Sequence, residues 1–189
     1  LQHSIFAHAA VMNLISSIDS ILGRKLHDCT RNKPLSLAVV SNHSSRITLR
    51  VSFMGRHGIQ AADALALALT RIDTMELGPY RWQVAGVYCS GCTWAATSTW
   101  ADLTEPCNSS WIKFTFATPT AFTKSDGRGG RFISVLPEPF DVFSGLLQRW
   151  NDLGGPAMPS NLASYIQSGG CRVSDCEIRC ITTQLQERI

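Results

Sequence analysis

No apolar run in the 189 residues approaches the roughly 18 to 20 that a helix needs to cross a bilayer, which disfavours a membrane-embedded role. A secretory leader is missing too. The opening LQHSIFAHAAVMNLISSI has neither a basic start nor a small-residue cleavage site, and seven cysteines are an odd number, so a reducing cytoplasm is the simpler expectation. Charge is scarce: 16% of residues are charged and the net charge is +3, too little by itself to argue for a polyanionic partner. With 44% hydrophobic residues the chain nevertheless has enough apolar material for a core and does not read as disordered. The glycine-rich segment Gly127-Arg-Gly-Gly130 lacks the Lys-Ser/Thr ending of a phosphate-binding loop, so nucleotide hydrolysis finds no support. There is no initial Met, and the sequence stops just after the basic, Cys-containing stretch from Cys171 to Cys180. Both ends look cut, as in a segment of a longer polypeptide.

What is present is a pattern of alternating elements. Ile5, Ala9, Met12, Ile15, Ile18 and Leu22 recur at helical spacing, which predicts one helix ended by Gly23 and followed by a polar, basic stretch from Arg24 to Asn32. Leu35–Val40 reads as a short strand. Ile47, Leu49, Val51 and Phe53 alternate with polar residues as a strand with one buried face. A turn over Gly55–Gly58 then leads into a helix with Ile59, Ala62, Leu65, Leu69 and Ile72 on one face, and Gly78-Pro79 precedes a strand over Tyr80–Val84. The segment 95–110 has few long apolar residues and is the expected connection between a half at 1–94 and a half at 111–189. In the second half Ile112, Phe114 and Phe116 alternate, Phe140, Phe143, Leu147 and Trp150 share a helix face, a looser turn covers Leu162–Gln167, and Cys176, Ile178 and Cys180 predict a final strand face packed in the core. Two similar strand-helix-strand units imply an α+β chain of two related halves, each a helix-backed antiparallel sheet, the first lacking an opening strand and the second a closing one.

Among five histidines, His27 has the most suggestive surroundings. It lies between Lys25 and Asp28, with Lys33 six positions on in a Pro-restrained bend, so an imidazole and an ammonium could approach one phosphate. RNA cleavage by the substrate's own 2′-hydroxyl needs such a set: a group titrating near neutrality to move the proton and a fixed cation to neutralise the phosphorane, with no metal or cofactor. Arg24, Lys25, Arg31 and Lys33 form one basic cluster, and Lys124, Arg128 and Arg131 a second in a Gly-rich loop; either could hold phosphates or be ordinary solvated surface. Trp94 and Trp100, in the connecting region, are the better candidates for stacking on bases, while Trp82, Trp111 and Trp150 lie on predicted elements. Cys89-Ser-Gly-Cys92 has zinc-ligand or redox spacing and could form a site with Cys107, Cys171, Cys176 or Cys180; plain thiols are the blander reading.

Three stretches together resemble a known family. They are Gly23-Arg-Lys-Leu-His-Asp28 with Lys33-Pro34; Arg46-Ile-Thr-Leu-Arg-Val-Ser-Phe-Met-Gly55 followed by a helix and Gly-Pro-Tyr-Arg-Trp82; and Ile112-Lys-Phe-Thr-Phe-Ala-Thr-Pro-Thr120 followed by Pro137-Glu-Pro-Phe and the helix to Trp150. In this order they are similar to the precursor-RNA endoribonucleases of CRISPR systems, the sixth Cas family. The resemblance implies two tandem ferredoxin-like (RRM-like) halves, here incomplete at both ends, and metal-independent cleavage of CRISPR repeat RNA to a 2′,3′-cyclic phosphate and a 5′-hydroxyl. It implies His27 as the general acid/base and Lys33 as the cationic stabiliser. Where some members carry a Tyr on the first helix this sequence offers His8 and Met12, leaving a two-histidine site or a mere surface His8. The family's C-terminal Gly-rich loop is not recognisable. Members are sometimes fused ahead of a reverse transcriptase and a CRISPR integrase, which the open ends would fit.

Two other readings remain at the level of sequence. One is a non-catalytic RNA-binding member of the same fold group that holds guide RNA in a larger complex; the other is a cysteine-based zinc or redox module unrelated to RNA.

Overall fold

The computed structural model describes residues 2–29, 32–43, 45–92, 94–106, 108–116, 122–125 and 127–177. The chain divides into two compact units, Leu1–Asn108 with Asp152–Gly155, and Ser109–Asn151 with Pro156–Ile189. Helices and small antiparallel sheets make up both, an α+β composition consistent with tandem ferredoxin-like halves.

Unit 1 opens on two helices where the apolar periodicity predicts one. Helix α1 spans Gln2–Ile18 and α2 spans Ser20–Asp28. The break falls at Asp19, whose extended backbone and side-chain carboxylate cap α2 by accepting the Leu22 N–H at 2.8 Å. Gly23 therefore does not end a helix; it is buried inside one. A Cβ there would come within 2.8 Å of the Ser16 Cβ and 3.0 Å of its Cα, so glycine is what lets α2 pack this tightly on α1. The expected basic loop after Gly23 is thus mostly helical, placing Arg24, Lys25 and His27 on α2.

Strands β1 (Leu35–His43) and β2 (Arg46–Phe53) pair antiparallel, Leu35 opposite Phe53 and Ala38 opposite Arg50, with a bulge between Val39 and Ser41. Helix α3 (Gly55–Leu69) follows. Gly55–Gly58 is its first turn rather than a preceding loop, and its buried face is Gly58, Ala61, Ala64, Leu65 and Ala68. Ile59 is exposed, as are Ile5 and Ala9 on α1, because the small residues Ala7 and Ala10 join Val11, Met12 and Ile15 to set the α1 core face. Small residues carry little weight in a hydrophobic-spacing argument but allow close helix approach.

A hairpin of β3 (Thr74–Leu77) and β4 (Tyr80–Gln83) turns at Gly78-Pro79; the sequence reading found only its second strand. Two clusters make the core. Val11, Met12, Ile15, Leu22, Leu26, Leu35, Ala61, Ala64 and Leu65 join α1, α2 and α3 to the start of β1. Ala7, Ala10 and Leu77 gather Phe6, Leu37, Ile47, Leu49, Met75 and Trp82 from both hairpins. Within the expected connection lies a short helix, α4 (Trp100–Thr104), closed by a capping box in which the Thr99 hydroxyl and the Asp102 carboxylate each accept the other's backbone N–H.

Unit 2 departs further from expectation. Residues 111–116 lie in no strand, and Phe114 instead packs edge-on against Phe143 at 5.5 Å. The strands are β5 (Phe122–Ser125) and β6 (Arg131–Ser134), in the segment read as a Gly-rich basic loop. Helix α5 (Pro139–Asp152) forms where the spacing places it, with Phe143, Leu147 and Trp150 half-buried and Phe140 exposed, and the Trp150 indole donates to the Pro156 carbonyl at 2.7 Å. After it come one helical turn, α6 (Leu162–Tyr165), and a π turn over Ile166–Gly170. No strand is present over 171–177, and Cys176 is exposed rather than packed; Ile178, Cys180 and the Thr118-Pro119-Thr120 segment lie outside the described residues.

Candidate functional site

The packing of α2 on α1 decides which polar groups meet. Leu22 and Leu26 are the buried residues of α2 and join Val11, Met12 and Ile15 of α1 in one cluster. Asp28 and His27 follow directly on that buried edge, in the last helical turn, where the unsatisfied carbonyls of a helix C-terminus favour cationic groups. The His27 side chain is 82% exposed, and its Nδ1 lies 3.5 Å from the Asp28 carboxylate, an ion-pair distance too long for a good hydrogen bond.

His8 sits one helical turn before the buried Val11 and Met12, and is half-buried. Burial is the largest cause of its lowered pKa, followed by the positive charges of Lys33 and His27. Lys33, just before β1, and His27, at the end of α2, thus both bear electrostatically on His8 of α1. Lys33 precedes an anchored peptide: the Pro34 carbonyl accepts the Met54 N–H at 2.8 Å, and a Cβ on Gly58 would stand 2.8 Å from that same carbonyl oxygen. Glycine at the start of α3 thus lets the chain carrying Lys33 lie close against the helix.

A half-buried imidazole with a lowered pKa, an exposed imidazole and an ammonium form a set able to accept one proton, donate another and neutralise an anion. Of the sequence-predicted phosphate contacts, Arg24 and Lys25 are exposed on α2, while Arg31 lies outside the described residues.

In unit 2 the second basic cluster is arranged differently. The Lys124 ammonium contacts Asp141 at 2.8 Å and Glu138 at 2.9 Å, and those hydrogen bonds, Asp141's first, raise its pKa. Two carboxylates neutralise this ammonium and take up two of its three N–H donors, so we leave Lys124 out of the contacts we assign to RNA. Arg128 is exposed in the β5–β6 turn and Arg131 is exposed at the start of β6.

Cys89 and Cys92 are both exposed, Cys171 is half-buried, and Cys107 lies outside the described residues. Among the described residues no three His, Cys, Asp or Glu side chains group as a metal site, and no helix is long and apolar enough to cross a membrane.

No family model and no curated protein matches the sequence. Among solved structures, the chain is similar to one described as a Cas6 (TTHB231) product complex, with a TM-score of 0.73 and 26% identity across 88% of this chain. The fold is Cas6-like. The match spans 66% of the length of that structure's chain.

The sequence pointed to His27 and Lys33 as candidates and left His8 open, because the surroundings of His8 depend on how α1 and α2 pack. One contact was missed as a pair. Arg50 stands over the ring of Trp94, 5.8 Å from its centroid, joining β2 to a loop some forty residues on.

Proposed function

We propose that the chain is an endoribonuclease that processes CRISPR repeat RNA without a metal ion. The observation that carries this reading is the action of two cations from separate elements, Lys33 and His27, on the half-buried His8 within a Cas6-like fold. His8, biased towards its neutral form, takes the proton from a ribose 2′-hydroxyl as the 2′-oxygen bonds to the adjacent phosphorus. The bond from phosphorus to the 5′-oxygen breaks, and His27 protonates that leaving oxygen. Lys33 neutralises the charge gathering on the non-bridging oxygens. The products are a 2′,3′-cyclic phosphate and a 5′-hydroxyl, and the nucleophile belongs to the substrate, so alignment supplies much of the rate. Arg24, Lys25 and Arg31 would hold RNA phosphates on unit 1, and Arg128 and Arg131 are candidate phosphate contacts of unit 2 taken by itself.

Incubation of the full chain with end-labelled CRISPR repeat RNA in excess chelator tests the reading. Cleavage should persist, leave a cyclic phosphate, and fall by about 10²- to 10⁴-fold in His27→Ala. Cutting that needs added metal, or that His27→Ala performs at the wild-type rate, would overturn it. Salt-sensitive binding of repeat RNA with no turnover would instead identify a non-catalytic guide-RNA-binding module. The family resemblance further suggests a reverse transcriptase and a CRISPR integrase as partners, fused or associated, a point that co-purification from the native host addresses.

A further inference from the structure

The outer face of the β1–β2 sheet carries an arrangement that cleavage does not use. Ile47, Leu49, Val51 and Phe53 turn towards the core, which leaves Arg46, Thr48, Arg50 and Ser52 on the opposite face of β2. Across the ladder, Ser36 stands opposite Ser52 and Ala38 opposite Arg50. A shallow groove of about 320 Å³ runs over Ser36, Leu37, Ala38, Arg50 and Ser52. Small side chains form its floor, so a flat group can settle on the sheet.

Trp94 is joined to this groove through Arg50, one of the residues that line it. Its turn is tied by the Ala95 N–H donating to the Cys92 carbonyl at 3.1 Å, and the Arg50 guanidinium lies 5.8 Å from the ring centroid, within cation–π range. The indole is nevertheless 49% exposed, about what remains when one ring face is covered.

Charge indicates the kind of partner. From Cys29 to Ala62 the sequence has five Arg or Lys residues and not one Asp or Glu. Arg46 and Arg50 share one strand face roughly 13 Å apart at about 3.3 Å per residue. A polyanion laid along β2 would meet a cation at each end of the groove and hydroxyls between them. Bases have flat faces that stack on indole, and unpaired strands leave those faces available.

We propose that this face is a second RNA contact, distinct from the His8, His27 and Lys33 set: an unpaired nucleotide stacks on Trp94 over the β1–β2 groove while Arg50 and Arg46 hold its flanking phosphates. The proposal rests on RNA being the ligand, but not on the chain cutting it. The site confers preference for single-stranded RNA outside the cleaved bond, with little dependence on base identity.

Fluorescence anisotropy with a labelled eight-nucleotide oligoadenylate, and with an eight-base-pair RNA duplex, separates this from a plain basic surface. Trp94→Ala should weaken oligoadenylate binding about fivefold or more and leave the duplex unchanged; Trp94→Phe should retain most of the affinity. Arg50→Ala should weaken binding and reduce the slope of log affinity against log salt by about one. Undetectable oligoadenylate binding by the wild type, wild-type affinity in Trp94→Ala, or equal loss for duplex and single strand would each overturn the proposal, and circular dichroism guards against misfolding. Oligoadenylate binding that depends on Trp94, in a protein that never cuts repeat RNA, would leave this contact standing and remove the catalytic reading alone.

Discussion

The two units differ in how they hold apolar residues and in how they arrange charge. Of the fourteen buried apolar residues among those described, thirteen belong to unit 1 and only Ile166 to unit 2. In unit 2, Trp111 and Ile133 are more than 70% exposed, and α5 buries no residue. Unit 1 gathers like charges around His8, whereas unit 2 ties Lys124 between two carboxylates. A well-packed scaffold can hold charges of one sign near each other because its core fixes the helices that carry them; a loosely packed one relies on ion pairs to hold its hairpin against its helix. Chemistry that needs converging cations therefore belongs in unit 1.

The largest test of that division compares His27 with Arg131. His27→Ala should lower the single-turnover cleavage rate by about 10²- to 10⁴-fold with RNA affinity nearly intact. Arg131→Ala should reverse the pattern, weakening RNA binding a few-fold with an unchanged rate at saturation. A rate collapse in Arg131→Ala would place chemistry in unit 2 and break the comparison.

Stability offers the next contrast. Ile15 is fully buried between α1, α2 and α3, so Ile15→Ala should cost about 2 to 5 kcal/mol in urea unfolding followed by far-ultraviolet circular dichroism. Leu146 on α5 is 49% exposed, and the same truncation there should cost about 0.5 kcal/mol or less. Equal losses would mean that the α5 face is packed in solution as tightly as the α1 face.

These contrasts also explain how much was legible in the sequence. Alternation along Ile47–Phe53 gave β2, and helical spacing gave α3 and α5, because each sets apolar residues on one side at a regular period, even though α5 leaves none of them fully buried. The break at Asp19 was hidden, since apolar residues keep their spacing through it and the decisive signal is a single carboxylate cap. Ala7, Ala10, Ala61 and Ala64 were under-read because alanine weighs little in a hydrophobic pattern yet fills the tightest contacts. At the proposed site, the local sequence already pointed to His27 and Lys33. That His8 lies near them was not legible, because it follows from α2 folding back along α1. In unit 2, β5 and β6 were concealed by the glycines and cations of the turn that joins them.

Two helical glycines sharpen the packing contrast at smaller magnitude. A Cβ on Gly23 would press into Ser16, whereas one on Gly145 in α5 would meet nothing within 4 Å. Gly23→Ala should destabilise by about 1 to 3 kcal/mol through overpacking. Gly145→Ala should stabilise by about 0.5 to 1 kcal/mol, because alanine loses less backbone entropy in a helix. Thermal unfolding of both variants measures this, and a stabilising Gly23→Ala would show that α2 does not hold its close seat on α1.

The smallest expected effect concerns electrostatics. Burial first, and then the charges of Lys33 and His27, lower the His8 pKa from its ordinary value near 6.5. In the unfolded chain His8 regains that value, so between the folded and unfolded values the unfolded chain binds more protons and stability rises with pH. This contribution is complete above about 6.5, declines as pH falls from there, and levels off below the folded value. If His8 is the base, the acid limb of the cleavage profile lies below 6.5. Lys33→Met removes one cation and should move that limb upward, though not fully, because burial and His27 remain. A Lys124→Met change should leave the limb where it is, since that ammonium acts on carboxylates of unit 2 rather than on His8. A limb that stays fixed in Lys33→Met would mean another group takes the 2′-hydroxyl proton, with His8 serving the packing of α1 alone.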